Sequence, residues 1–364
     1  MRQDDYLSDG DAQFTGVNEL LPPGVLAPGE MASCKNGRCR YGKDEPRAGF
    51  FKVPWSTLVT SGASSVPVPY GTIYGRGYFQ DEDSVLWCIM AADGKVYKFR
   101  DGNGSSEVPL PSGVTITSAV EFTQTYNGLL MFRGLGKDTL LMSNLGAGFA
   151  SATPQTNTVT GATSENPADG SESVPQADRG EWIDARLYVP TETATEKDLV
   201  NISDFLNATR FASVRAQARI NQGANDRLSR VLKFGKEHAA VCFKTASVYA
   251  LYGTTGSLSE MSQDEITRQF GLLSPRGCIN VGKDEADAPD EVWFMSTSGS
   301  IHRITPDGGT GLLGVSSVPV SEEMVQTIAR INLEVAARTV TFELFQDRLY
   351  VAVPLDDATQ LGPE

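Results

Sequence analysis

A mostly-β chain, laid out as a propeller-like array of antiparallel hairpins, is what the sequence predicts, and three observations predict it. One hairpin pattern recurs at five places. Counted between Val85, Leu129, Ala240, Val292 and Leu349, its copies lie roughly 44, 111, 52 and 57 residues apart. The 36 glycines and 19 prolines fall in short spaced clusters, which suits many tight turns better than long helices. A period of roughly 40–50 residues with several strands per unit is the pattern of blades around an axis. The long gap is about two periods and holds a further strand candidate, Asp184–Val189. An irregular β-sandwich with coincidental spacing is the competing reading.

Along the chain, residues 1–50 read as an extended, Gly/Pro-broken arm with little regular structure. Residues 51–150 carry the first blades. Ser84–Met90 is a strand, Asp93 and Gly94 the bend, and Lys95–Phe99 the returning strand; Gly128–Phe132 and Thr139–Met142 repeat the unit. Asp-Gly bends work because the turn needs positive φ, which glycine adopts without steric cost. Residues 151–182 are set apart as a flexible insertion. They hold many Thr, Ser, Asn, Gly and Pro, with too little apolar surface to offset the entropy of ordering. Further blades fill 183–320: Ala239–Phe243 with Ser247–Tyr252, then Glu291–Met295 with Ser300–Ile304 across a Ser298-Gly299 bend. A short helix is expected around Glu196–Asn207, with Leu199, Phe205 and Leu206 on its apolar side. Residues 321–364 form a helix and a final strand. Ser321 caps the helix, Met324, Ile328, Ile331 and Val335 share its apolar face, and Asp347–Val353 is the first strand of an unfinished fifth copy.

The net charge of −14 argues against a protein that grips duplex DNA by neutralising phosphates. It does not exclude a wall past which DNA slides. No apolar stretch after Met1 suggests a secretory signal, and none approaches the ~18 residues of a membrane span. Five scattered cysteines (34, 39, 88, 242 and 278) are expected as free thiols. The sequon-like triplets at Asn103, Asn201 and Asn207 carry no meaning without a secretory route.

Few residues are placed for chemistry. The two histidines, His238 and His302, have no partner cluster and are expected as surface or packed residues. Gly309–Gly314 matches the dinucleotide fingerprint in letters, but the next residues, Val315–Pro319, read as extended where a helix is required, so the match is a glycine-rich loop. Cys34 and Cys39 lack the four ligands that structural zinc takes. The four tryptophans are spread one per segment, which favours packing over a carbohydrate platform. No catalytic residue, cofactor or metal is expected, and the chain reads as a non-enzyme. Six basic residues between Lys35 and Lys52 are either a solvated arm or a contact patch.

Four stretches resemble the β-propeller nozzle (tail tubular B-like) proteins of short-tailed bacteriophages. The first is the arm, with Phe14–Asn18, Leu26–Glu30, Asn36, Arg40–Gly42 and Arg47–Gly49. The second is Val241–Lys244 with Ser247–Tyr252. The third is Gly271–Arg276 leading to Val292–Ile301, and the fourth is Arg348–Leu355. The resemblance implies a structural virion protein, made in the host cytoplasm and placed in the tail. Several copies, expected to be six, would ring the distal channel below an adaptor. They would touch other tail proteins and, at the distal end, the host envelope, and would hold and then conduct the genome without binding it tightly. Candidate assembly residues are Arg38, Arg40, Arg47, Phe50, Phe51 and Trp55. Two other readings stay open: a propeller that binds or degrades host-surface glycan, and a generic scaffold propeller.

Overall fold

The structure is a computed structural model. It describes residues 72–100, 104–154, 173–191, 196–211, 217–234, 239–255, 258–281, 290–306, 312–345 and 348–356, with the backbone of four short strands nearer the N-terminus. Those four form two pairs. β1 (Gly16–Val17) lies parallel to β2 (Glu30–Met31), and β3 (Gly37–Arg40) lies antiparallel to β4 (Lys43–Pro46). The arm is thus less irregular than its composition suggests.

Five antiparallel sheets come next in chain order. Blade 1 is β5 (Ile73–Gln80), β6 (Leu86–Ala92), β7 (Lys95–Arg100) and β8 (Gly104–Val108). Blade 2 is β9 (Glu121–Thr125), β10 (Gly128–Phe132), β11 (Leu140–Met142) and β12 (Ala150–Ser151). Blade 3 is β13 (Glu181–Ile183), β14 (Arg186–Thr191), β15 (Leu199–Asp204) and β16 (Asn207–Phe211), with β17 (Gln217–Arg219) also paired to β15. Blade 4 is β18 (Leu228–Lys233), β19 (Ala239–Lys244), β20 (Val248–Tyr252) and β21 (Ser262–Thr267). Blade 5 is β22 (Cys278–Asn280), β23 (Val292–Met295), β24 (Ile301–Pro306) and β25 (Leu313–Val315). Two short helices, α1 (Val325–Ala329) and α2 (Leu333–Thr339), lead to a two-stranded sheet, β26 (Thr341–Phe345) with β27 (Arg348–Ala352).

The first strands of successive sheets touch one another in sequence, β5 to β9, then β13, β18, β22 and β26. Arg76 of β5 pairs with Glu343 of β26, joining the last sheet to the first. These six strands are therefore the inner strands of a ring. The fold is a β-propeller of five full blades and a sixth that has two strands among the described residues.

Apolar layers between blades hold the ring together, and they explain the sequence pattern. Blades 2 to 5 are sandwiched, so both faces of their second strands are covered. In β10, Leu129 and Met131 pack towards blade 1, while Leu130 and Phe132 pack towards blade 3. In β19, Ala240 and Cys242 face blade 3, and Val241 and Phe243 face blade 5. Such strands read as continuous apolar runs rather than alternating ones. At about 1.5–3 kcal/mol per buried large side chain, these layers dominate the stabilisation. The turn chemistry also holds, since Asp93 and Gly94 both have positive φ (47° and 84°).

Several expectations need correction. Every strand singled out as the start of a hairpin unit is the second strand of its blade. Within the expected Asp347–Val353 strand, Arg348–Ala352 likewise pairs back to β26 as the second strand of the last sheet. The expected helix at Glu196–Asn207 is β15 and its turn into β16. Val200 and Ile202 pack against blade 4, and Leu206 sits at φ 57°, which an α-helix cannot contain. The helix expected over 321–337 is broken. Ile331 bridges to Leu355 and the Asn332 amide bonds the Pro354 carbonyl, so the chain leaves helical geometry and restarts with Asn332 as the cap. Ser321 does not cap; its hydroxyl accepts from the Ile301 amide. The insertion's edges are misplaced too. Ala152, Val174 and Ala177 are buried between blades 2 and 3, and Glu181–Ile183 is β13. Residues 155–172 lie outside the described residues.

Candidate functional site on the propeller axis

The inner strands bring a charge cluster to the axis. Glu121 opens β9 and Glu181 opens β13. Arg230 is the third residue of β18, and Arg179 and Arg276 lie two residues before β13 and β22. Arg230 donates through Nη1 to Glu121 Oε1, and its Nη2 lies 3.4 Å from Glu181 Oε2. Arg179 Nη1 lies 3.8 Å from Glu121 Oε2. The four side chains are largely shielded: Arg179 and Glu181 are 12 % exposed, Arg230 14 % and Glu121 17 %. Burial works to raise the Glu121 carboxyl, but Arg230, Arg179 and Arg276 outweigh it and hold Glu121 below its usual range. Burial likewise works to lower the Arg230 guanidinium, yet Glu121 and Glu181 hold it above its usual value. For Arg179 burial wins, and its pKa is lowered despite Glu121. Desolvation offsets much of the Coulombic gain in such clusters, so they fix geometry more than they add stability.

Close packing makes this convergence possible. A Cβ on Gly75 would come within 2.3 Å of the Val120 carbonyl, and one on Gly77 within 2.4 Å of Phe122 Cβ. Only glycine lets β5 lie this close to β9. The Val120 amide then donates to the Tyr74 carbonyl at 3.0 Å. A second polar node joins the inner strands of blades 3, 4 and 5. Lys233 pairs with Asp184 at 3.0 Å, Thr254 donates to Asp184, and Asn280 Nδ2 donates to the Lys233 carbonyl at 2.9 Å.

Beside the cluster lies a cavity of about 330 Å³ between blade 1 and the sixth sheet, reached by the inner strands of blades 1, 2, 4 and 5 and of the sixth sheet. Arg76, Arg230 and Arg276 line it together with Glu121, Glu343 and Cys278. Glu121 stays ionised at neutral pH and is a poor proton donor. Burial pushes the Cys278 thiol up to about 12, so the thiolate that nucleophilic chemistry requires is scarce. What the arrangement offers is oriented guanidinium donors.

Of the assembly residues singled out from sequence, only Arg38 and Arg40 are described, and those by backbone alone. Arg38 and Arg40 lie in β3, and Arg47, Phe50, Phe51 and Trp55 fall outside the described residues, as do His238 and Gly309–Gly311. His302, expected as either a surface or a packed residue, is packed. It lies between blades 4 and 5 with its ring 4.0 Å from Phe270, and Nδ1 donates to the Ser316 carbonyl at 3.4 Å. Trp87, Trp182 and Trp293 all take packing positions: the indole NH groups of Trp87 and Trp293 bond Asp81 and Glu291, and Trp182 packs on the layer between blades 2 and 3. Cys88, Cys242 and Cys278 are free thiols. Among the described residues no three His, Cys, Asp or Glu side chains form a group that could hold a metal, and no helix is long and apolar enough to cross a membrane. The axial charges were missed because 45 acidic and 31 basic residues offer no sequence signal that separates the few buried ones.

No protein-family model matches the chain. No curated protein matches it either. Solved structures with similar folds exist. The BBS1N chain crystallised in complex with ARL6DN is 11 % identical, with a TM-score of 0.42, covering 81 % of this chain and 78 % of that one. Virginiamycin B lyase from Staphylococcus aureus is 13 % identical, with a TM-score of 0.38, covering 69 % and 71 %. The β-propeller domain of Cps50 (Swd1) from Myceliophteria thermophila is 9 % identical, with a TM-score of 0.41, covering 68 % and 71 %. Likeness at this level carries nothing about ligand, partner or activity.

Proposed function

We propose that this chain is a non-catalytic structural subunit of a bacteriophage tail, several copies of which ring the distal channel as a nozzle that retains and then conducts the genome. The observation that carries this reading is the set of four stretches resembling tail nozzle propellers. Three of them fall on blade-forming segments: β19 with β20, the connector at 271–276 with β23 and the start of β24, and β27. The axis supports the same reading from another side. A cavity of about 330 Å³ crossed by ion pairs is far too small for a duplex. On this proposal DNA therefore passes through the ring of copies and not through any one propeller. A surface with net charge −14 suits such a wall, because like charge keeps DNA from adhering. Arg38, Arg40, Arg47, Phe50, Phe51 and Trp55 are the proposed contacts with a neighbouring subunit or adaptor, the aromatic residues contributing most because exposed ion pairs contribute only ~0–1 kcal/mol each.

The test is assembly. Full-length protein mixed with a phage tail adaptor, viewed by electron microscopy and sized by sedimentation, is expected to form a closed ring with a central bore, and labelled antibody is expected to mark tail tips. Phe51→Ala is expected to weaken association more than Arg38→Ala. A chain that stays monomeric with every adaptor tried, or that retains a defined oligosaccharide on a glycan array, would overturn the proposal.

A further inference from the structure

The axial cavity holds a charge imbalance that the ion-pair network does not resolve. Three guanidiniums line it, those of Arg76, Arg230 and Arg276, against two carboxylates, those of Glu121 and Glu343. Arg76 is paired with Glu343, and Arg230 with Glu121 and Glu181. Arg276 is left over. Among the described residues its guanidinium makes one hydrogen bond, from Nη2 to the Val120 carbonyl at 3.1 Å, and no ion pair. A guanidinium has five N–H donors, so Arg276 keeps most of its hydrogen-bonding capacity for whatever enters the cavity. A second observation points the same way. Arg230 lines the same cavity, and its Nε is buried without a hydrogen-bond acceptor. Arg179 Nη1, in the layer beside it, is also buried without one. Buried donors are nearly always satisfied, and those that are not call for a missing acceptor.

We propose that the axial cavity is a binding site for a small oxyanion, a phosphate or carboxylate group, held chiefly by Arg276 with Arg230 and Arg76 beside it. Planar guanidiniums grip such groups through paired N–H···O bonds, and the cavity volume suits an ion or a small polyanion. Its position gives the ligand a structural consequence. Arg76 belongs to blade 1, Arg276 leads into blade 5, and Glu343 belongs to the sixth sheet. An anion there bridges the two ends of the ring, whose inner strands touch least among the described residues, and by mass action it stabilises the closed propeller. The inference does not depend on the nozzle proposal, since it concerns one propeller alone.

The experiment is thermal unfolding and titration calorimetry of the full chain with inorganic phosphate and, separately, citrate, each against sodium chloride at matched ionic strength. A saturable rise in Tm with either oxyanion and none with chloride is expected, phosphate and citrate arms telling the two chemistries apart. Arg276→Gln is expected to weaken binding by about 10- to 100-fold, the loss typical of hydrogen bonds to a charged group. Arg276→Lys keeps the charge without the fork and is expected to fall between. An equal rise in the Arg276→Gln protein, or a rise that tracks ionic strength, overturns the site. Should Arg276→Gln fail to fold, crystals of the unaltered protein soaked in tungstate decide: density beside Arg276 supports the site, and an empty cavity overturns it.

Discussion

His302 sits in the apolar seam between blades 4 and 5, stacked on Phe294 and tilted against Phe270. Its Nδ1–H reaches the Ser316 carbonyl, and Nε2 is buried without a partner. Burial therefore lowers its pKa, partly offset by that carbonyl bond. Above the unfolded value of about 6.5 the residue is neutral in both states and costs nothing. As pH falls through that value, the unfolded chain takes up a proton that the folded chain resists, and stability is lost. Urea unfolding of the unaltered protein is expected to weaken between pH 7.5 and 5.5, and His302→Phe is expected to remove part of that slope. Glu121 acts in a separate window. Its depressed carboxyl contributes stability above the unfolded value of about 4.3, lost as pH falls further. A pH slope unchanged in His302→Phe would show that the imidazole is not the neutral, buried group described here.

At the scale of elements, second strands were legible and first strands were not. β10, β19 and β23 are sandwiched between blades and β6 is buried along most of its length, so their composition is almost wholly apolar and declares itself. The inner strand β5 is largely solvent-facing, with Arg76, Gly75 and Gly77 in its middle, and nothing in its pattern marks it as a strand. Those glycines are explained only by what lies opposite. Gly75→Ala drives a Cβ into the Val120 backbone, and overpacking of this kind costs about 1–3 kcal/mol. Gly314 in β25 has open space around its Cβ position and serves as the control. Gly314→Ala is expected to shift stability by less than about 0.5 kcal/mol. Equal effects in the two variants would mean that β5 and β9 are not packed this tightly. The expected helix at Glu196–Asn207 failed for a related reason. Leu199, Phe205 and Leu206 have helical spacing, but the demand of blade 4 for Val200 and Ile202 on one strand face overrides local spacing.

For the molecule as a whole, two kinds of contact hold the sixth sheet in the ring, and their magnitudes differ. Arg76 and Glu343 are about half exposed, and a pair of that kind contributes only ~0–1 kcal/mol. Phe342 is 5 % exposed and packs with Met295, Ala336 and Val340 between blade 5 and the sixth sheet. Phe342→Ala is expected to cost about 3–5 kcal/mol in urea unfolding and Glu343→Gln less than about 1 kcal/mol. The reverse order would mean that electrostatics, not apolar layers, seat the last sheet. The sequence by itself determined the hairpin repeat, its turns and the spacing that implies blades, because all of these are local consequences of side-chain periodicity and turn stereochemistry. Only the tertiary structure decided which strands are innermost, where the helix after Ser321 breaks, and that Glu121, Glu181, Arg179, Arg230 and Arg276 meet on one axis. Those residues are 155 positions apart at the extremes, and nothing local distinguishes a charge that will be buried from one that will face water. Ring closure makes that distinction by bringing four separate chain segments to the same point.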